Sequence, residues 1–246
     1  MENFKIPKSH PRYKSLIMRE RLIEGFKKGL VAHAGLIAHG RGEAFDYLIG
    51  ERSEEFALIA ERAAVCAIKN AKNPVFSVNG NVAALAVDKV IELAKALKMK
   101  IEVNLFYRTE ERVKKIVHEF ESRGVEVLGE NPDAEIPNLG HSRALCTREG
   151  IYSADVVLVP LEDGDRTKAL RDMGKFVITI DLNPLSRTAK TANITIVDEL
   201  TRALANMLNM ANEPCDNVEH YDNTKILSMA LKHIENRLDT LSKKGE

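Results

Sequence analysis

From Pro74 onward the chain alternates short apolar runs with segments of helical period, and this restricts the fold more than any other feature. The apolar runs fall at residues 75–78, 101–106, 125–128, 156–159, 176–180 and 194–197. Helical patterns fill 82–97, 110–123, 166–173 and 199–210. Thr109 and Asp165 stand where helices take N-terminal caps, and Gly124 and Gly174 where helices stop. Strands separated by helices need crossover connections, so the expected class is α/β: a Rossmann-like, mostly parallel sheet flanked by helices. Several runs are apolar at nearly every position, as strands covered on both faces must be.

One α/β domain is expected, in three parts: a helical N-terminal part over 1–72, the core over 73–212, and a C-terminal helical part over 213–246. In the first part, Pro11 suits a first helical turn, and Leu16, Ile17, Ile23 and Phe26 form an apolar stripe ending near Gly29. Ser53 is placed to cap a second helix, with Glu54 and Glu55 at its positive end and Leu58, Ala64, Val65 and Ile68 on its core face. A last helix over 222–241 carries Leu227, Leu231, Ile234, Leu238 and Leu241 as a narrow apolar seam. That seam packs on the chain's own core or on a second subunit.

Composition narrows the partners. Lys plus Arg and Asp plus Glu stand at 36 each, so no global field draws the chain to nucleic acid or anionic lipid. Trp is absent and aromatics make up 5%, which disfavours a stacking platform for single strands. No window approaches the ~18–20 apolar residues that a membrane span needs. The polar opening Met1–Lys5 has no apolar signal core. Cys66, Cys146 and Cys215 are odd in number and lack zinc-finger spacing, so no disulfide framework or structural zinc is expected, and a reducing, cytoplasmic setting is the simpler reading.

Ligands of open parallel sheets bind at the carboxyl ends of strands. The first run ends in Asn79-Gly80-Asn81, where a tight turn and the N–H groups of a helix start favour a phosphate or carboxylate; Asn81 serving only as the helix cap is the alternative. The second ends near Asn104, with Arg108 beyond. The fourth ends in Glu162-Asp163-Gly164-Asp165-Arg166, an acidic turn that holds Mg²⁺ near a triphosphate or is simply solvated. The fifth ends in Asp181-Leu182-Asn183, followed by Arg187 and Thr188, which are suited to phosphate oxygens.

The densest polar constellation lies earlier, over residues 33–48. Gly40 and Gly42 bracket Arg41, and His39 precedes them as a candidate acid, base or phosphate donor. Gly35 and Gly40 have P-loop spacing, but Arg41-Gly42 replaces the required Lys-Ser/Thr and no strand leads in. Arg19, with Arg12 upstream, could reach the same cleft. The GxGxxG fingerprint is missing, which disfavours a nicotinamide-dependent oxidoreductase; a nucleotide-sensing module remains a non-enzymatic alternative.

The stretches Ile6-Pro7-Lys8-Ser9-His10-Pro11-Arg12-Tyr13 and Ala34 through Glu51, with Asn79-Gly80-Asn81 and Asp181 through Thr188, resemble archaeal phosphopantothenate synthetase, also called 4-phosphopantoate–β-alanine ligase. The resemblance implies a homodimeric, ATP-dependent C–N ligase of coenzyme A biosynthesis. It would join 4-phosphopantoate to β-alanine through an acyl-adenylate, releasing AMP and pyrophosphate, with Mg²⁺ as companion of ATP. Carried over, Arg19, Arg41, Asp181, Leu182, Asn183, Arg187, Thr188 and the helix start Asp198-Glu199-Leu200 would line the ATP site. From the residues' own chemistry, Arg41 and His39 are the catalytic candidates, and Asn79, Gly80, Asn81 and Asn104 are those for 4-phosphopantoate.

Overall fold

The structure is a computed structural model and describes residues 6–215 and 221–244. Three helices lead: α1 (Tyr13–Lys27), α2 (His33–Ile49) and α3 (Glu55–Lys69). Then follow β1 (Pro74–Val78), α4 (Gly80–Ala96), β2 (Lys100–Val103), α5 (Glu110–Glu121), β3 (Ala134–Glu135), β4 (Leu145–Cys146) and β5 (Val156–Leu158). The chain closes with α6 (Gly164–Asp172), β6 (Phe176–Ile180), α7 (Arg187–Thr191), β7 (Ile194–Ile196), α8 (Leu200–Met210) and α9 (Asn223–Lys244).

Five strands form one sheet in the order β2-β1-β5-β6-β7, every pair parallel. From β1 the chain steps out to β2, then crosses back to β5 on the other side of β1. The strand order therefore reverses between β1 and β5, which opens a crevice at their carboxyl ends. The period of two divides the strand side chains between two faces. Phe76, Val78, Ile101, Val103, Leu158, Ile178, Ile180 and Ile196 join the larger core with α3, α4 and α8. Val75, Val157, Val159 and Val177 turn to the other face, under Ala169 and Leu170 of α6 and Ile136 beside the small β3–β4 hairpin.

The expected α/β architecture is present, and local details depart from expectation where one polar residue replaces a neighbour of the same type. Thr109 caps α5 and accepts from the Arg112 N–H, while Gly124 and Gly174 take the left-handed φ of a helix stop, +76° and +79°. The cap of α6 is Asp163, not Asp165, and the cap of α4 is Asn79, not Asn81. Ser53 does not cap α3; its hydroxyl donates to Asp198 Oδ2 at 2.5 Å. The run 125–128 makes only an isolated parallel bridge, Glu102 to Leu128, because the chain turns away at Gly129 (φ +109°), hard against the Val103 backbone.

The cysteine expectation is corrected. Cys66 on α3 and Cys215 form a disulfide across a separation of 149 residues, with a Cα–Cα distance of 5.4 Å, and Cys146 is free and buried. No spacing rule reveals a pair that only the folded chain brings together. The same segment is fastened to α3 by an Arg62–Glu213 ion pair and by Lys69 Nζ donating to the Glu213 carbonyl at 2.8 Å. Closing so long a loop should stabilise the fold by roughly 2–4 kcal/mol. Denatured, unreduced protein is expected to titrate one thiol, that of Cys146. Cys215→Ser should lower the urea-unfolding free energy by that amount. Full thiol titration without a reductant would refute the bridge.

Candidate active site at the carboxyl edge of the sheet

Helix α2 lies across the carboxyl ends of the strands. Near its start, the Gly35 carbonyl accepts from Asn81 Nδ2 of α4 at 2.8 Å. Midway, a Cβ on Gly42 would lie 3.8 Å from Leu182 Cδ1, just past β6. Near its end, Asp46 takes Arg202 of α8 at 2.5 and 3.1 Å. From Gly35 to Asp46 the helix advances about 16 Å. The three strand spacings from β1 to β7 cover about 14 Å. One helix thus reaches from the β1 end to the β7 end of the edge, with β2 left outside it. Its three glycines, Gly35, Gly40 and Gly42, cost about 1 kcal/mol each against alanine in a helix interior. A Cβ on Gly35 would collide with Asn81 Oδ1, whereas one on Gly42 would make ordinary contact with Leu182 and one on Gly40 would meet nothing within 4 Å among the described residues.

Arg202 is the clamp. Besides Asp46 it holds Asp198, at the end of β7, through Nε at 2.9 Å and Nη2 at 2.7 Å. Burial works against its charge, but Asp46 and Asp198 hold it more firmly protonated than an ordinary arginine. Asp198 is fully committed: it also accepts from Ser53 Oγ, itself bonded by Asn206 Nδ2 at 2.9 Å, and from the Glu199 N–H. Glu199 caps α8, accepting from the Thr201 and Arg202 N–H groups, and Leu200 is buried behind it. Below them Glu61 of α3 is fully buried, and neither of its carboxyl oxygens has a hydrogen-bond partner. Burial, reinforced by the Asp198 charge, pushes its carboxyl up to about 9.

The face of α2 toward α1 holds a second polar group. Arg19 grips Glu43, with Nη2–Oε2 at 2.7 Å, and Tyr47 donates to Glu43 at 2.8 Å. Arg12 reaches Tyr47 at 3.0 Å. Burial alone would raise the Glu43 carboxyl, but the Arg19 and Tyr47 hydrogen bonds hold it below the ordinary value. His39 sits within the fields of Glu43 and Glu199; burial nevertheless lowers its pKa, and its Nε2 is buried with no partner. Burial thus favours its neutral form. Arg41 is exposed and makes no hydrogen bond or ion pair among the described residues.

Past β6, Asp181 accepts from Ser186 Oγ at 2.5 Å and from the Asn183 N–H at 2.9 Å, and Asn183 Oδ1 accepts from the Leu185 N–H. Burial raises the Asp181 carboxyl, with Ser186 and Asn183 opposing. Arg187 pairs with Asp165 at 2.6 Å, and Thr188 Oγ1 donates to the Glu162 carbonyl at 2.9 Å. At the switch point Asn79 Oδ1 accepts from the Asn81 and Val82 N–H groups, and its amide donates to the Pro160 and Leu161 carbonyls. The start of α4 is thus already satisfied in part, and the Asn81 amide is engaged by Gly35. Gly80 is required here: a Cβ would collide with the Leu30 carbonyl and the Arg112 guanidinium. Asn104 is buried, donating to the Arg143 and Leu145 carbonyls, with Oδ1 free of partners.

The predicted residues therefore gather along one edge, in two halves. Arg41, His39, Asp181, Leu182, Asn183, Asp198, Glu199 and Leu200 lie toward β6 and β7; Asn79, Gly80, Asn81 and Asn104 lie toward β1 and β2. Arg187 and Thr188 sit where the halves meet, and Arg19 is spent on Glu43. The acidic turn is not an open metal cradle: Glu162 lies between Arg143 and Arg166, and Asp163 caps α6. Among the described residues no group of three or more His, Cys, Asp or Glu converges as a metal site. Sequence reasoning missed Arg202, Glu61 and Arg143 as members of this edge and gave no role to Asp46 or Arg166. Two carried a readable signal, the i,i+4 acid–base pairs Asp198–Arg202 and Glu162–Arg166.

A family model described as Phosphopantothenate/pantothenate synthetase matches residues 56–237. A protein of Thermococcus onnurineus named 4-phosphopantoate–β-alanine ligase is 58% identical over 98% of this chain and 96% of its own length. Proteins of the same name from Thermococcus kodakarensis and Methanosarcina mazei are 58% and 57% identical, over 98% and 96% of this chain and 96% and 97% of their own.

The buried Glu61 generates a pH signature. It binds its proton more tightly in the fold than in the unfolded chain, so unfolding releases a proton between its ordinary value of 4.5 and its folded value of about 9. Stability should fall as pH rises through that window, by at most about 1.4 kcal/mol per unit. Glu61→Gln should flatten that slope in denaturant unfolding from pH 5 to 8. An unchanged slope would assign the dependence elsewhere.

Proposed function

We propose that this chain, which belongs to the phosphopantothenate/pantothenate synthetase family, condenses 4-phosphopantoate with β-alanine as an ATP-dependent C–N ligase. The observation that carries the reading is the passage of α2 along the carboxyl edge from β1 to β7. It brings an unpaired arginine and an unpartnered histidine over the strand ends.

A carboxylate is a poor acyl donor, because oxide would have to leave. In the proposed scheme the 4-phosphopantoate carboxylate attacks the α-phosphorus of ATP, a P–O bond forms, and pyrophosphate departs. The β-alanine amine then attacks the acyl carbonyl of the adenylate, the C–N bond forms, and AMP leaves. The ammonium loses one proton to solvent before attack and a second as the bond forms; His39 Nε2 is the acceptor for the second. Arg41 offsets the repulsion between two anionic substrates and the charge that develops at the phosphorus. Asp181, Leu182, Asn183, Arg187, Thr188 and Asp198-Glu199-Leu200 form the nucleotide half in this reading, with Arg19 holding Glu43 and so the pitch of α2.

Mg²⁺ belongs to the reading as companion of the triphosphate. The edge carboxylates do not fit a protein-held ion: Glu162 is shared by two arginines, Asp163 and Glu199 cap helices, and Asp181 closes its own turn. No step is assigned to the metal. A homodimer fits the apolar seam of α9, where Leu231, Leu238 and Leu241 are 38%, 48% and 50% exposed. A cytoplasmic setting fits the use of ATP; among the described residues no helix is long and apolar enough to cross a membrane.

The decisive assay mixes protein, ATP, Mg²⁺, 4-phosphopantoate and β-alanine and reads products by mass spectrometry. AMP together with a phosphopantothenate mass, only when both co-substrates are present, is the expected result; no AMP under any combination sinks the reading. Arg41→Ala should lower turnover by at least ~100-fold. His39→Gln should lower kcat and remove an acid limb lying below the ordinary histidine value, since burial depresses that imidazole. A near-normal rate in either variant removes that residue from the scheme.

A further inference from the structure

Behind the clamp at the end of β7 lies a carboxyl group that has no task in the proposed scheme. Glu61, in the middle of α3, is wholly buried, and neither of its oxygens has a hydrogen-bond partner. Its own helix surrounds it with Ala57, Ala64 and Val65, all buried. From the end of β7 Asp198 faces it, and from α8 Arg202 and Asn206. The titratable group that α9 brings toward α3 is His233, which is taken by the Ile49 carbonyl at 2.8 Å and by Glu54. Arg62 and Lys69 of α3 turn to Glu213 instead. Arg202 is the cation in the field of Glu61, and two other carboxylates already claim it.

The lone pairs of Asp198 leave room for one more donor. Oδ1 accepts from the Glu199 N–H at 2.7 Å and from Arg202 Nε and Nη2 at 2.9 and 2.7 Å. Among the described residues Oδ2 accepts from Ser53 Oγ alone, at 2.5 Å. A carboxylate oxygen has two lone pairs, so Oδ2 is half used. Asn206 gives one amide hydrogen to Ser53 Oγ at 2.9 Å and keeps its second. Glu61 thus faces an open acceptor and an open donor, which together suit a neutral carboxylic acid and not an ionised one. Charge gives the same answer. Asp46 and Asp198 against Arg202 already leave negative charge in excess, and a further unanswered carboxylate in so dry a place is the costlier state. Burial, reinforced by the Asp198 charge, accordingly keeps the proton on Glu61 up to about 9.

We propose that Glu61 is a positioning residue of the nucleotide half: its carboxylic acid donates to Asp198 Oδ2 and accepts from Asn206, and so holds the Asp198–Arg202–Asp46 chain, and α2 with it, in the arrangement that receives ATP. This role deepens the ligase reading and rests on its nucleotide site. Glu61 touches no substrate; it acts through Asp198, the first residue of the helix start Asp198-Glu199-Leu200. Ionised Glu61 would lose its donor and compete with Asp198 and Asp46 for one guanidinium. Arg202 would turn toward the deeper pair, its 2.5 Å contact with Asp46 would open, and the end of α2 would come away from β7. The contribution is complete while Glu61 holds its proton and is lost as pH rises through about 9. Nucleotide binding therefore has an upper pH limit set by a residue that lies outside the site.

Calorimetric titration with ATP from about pH 7.5 to 10, without co-substrates, reads the binding step alone. Wild-type affinity should be level to about pH 8 and then fall, by at most about tenfold per pH unit. Glu61→Gln, which keeps a donor and an acceptor and is neutral at every pH, should bind ATP as tightly near neutrality and lack that fall. Glu61→Met, of similar size but without a donor, should bind ATP about 10-fold more weakly at every pH. If Glu61→Met does not fold, the comparison with Glu61→Gln decides by itself. Hydrogen exchange gives a readout that needs no ligand: α2 amides should exchange faster in wild type than in Glu61→Gln at about pH 9.5, and alike at about pH 7.5. The same fall in wild type and Glu61→Gln, equal α2 exchange at both pH values, or wild-type affinity in Glu61→Met overturns the proposal. A wild type that shows the fall yet forms no phosphopantothenate would sink the ligase reading and leave Glu61 in its role.

Discussion

Arg202 is the contact on which the arrangement turns. It joins Asp46 near the end of α2 to Asp198 at the end of β7, and so ties a helix that precedes the sheet in sequence to the last strand of that sheet. At the other end of α2 only a single amide–carbonyl bond, Asn81 to Gly35, performs the same task. Between these points the helix is glycine-rich, and Arg19 of α1 holds it through Glu43. Without the clamp, α2 would have weak reason to cross the strand ends at all, and Arg41 and His39 would have no fixed place above them. Half-buried charge pairs are expensive to desolvate and strict in geometry, which suits a part whose value lies in position more than in net stability.

The edge carries its charge in a graded way. Toward β7 it is acidic and deep, with Asp198 and Asp46 answered by one arginine above the protonated Glu61. Toward β1 it is basic, with Arg112, Arg143 and Arg166 answered by Glu162 and Asp163. Arg41 stands exposed between them on α2. A chain whose net charge is zero can therefore still separate its charge along a single cleft.

Much of this was legible in the primary structure. Apolar runs and helix periods gave five of the six expected strands and their crossovers, because burial on two faces forces apolar residues at every strand position. Gly124 and Gly174 marked helix ends because only glycine takes that backbone conformation freely. The strand-end polar clusters were visible for the same reason: a run of polar residues just after a buried strand has nothing to pack against. A choice between near neighbours failed at Asp163 against Asp165, because either residue has the chemistry of a cap and only the exact turn selects one.

What the sequence by itself determined is the class of fold, the edge where chemistry gathers and most of the residues on it, since periodicity and strand-end polarity are local properties. Only the tertiary structure decided what those residues do. It set Arg19 on Glu43, Asp198 under Arg202, Cys66 on Cys215, and Arg143 with Arg166 about one carboxylate. Whether an arginine is free for a ligand or spent on a carboxylate depends on partners brought close by folding from distant parts of the chain, and no local pattern encodes that distance.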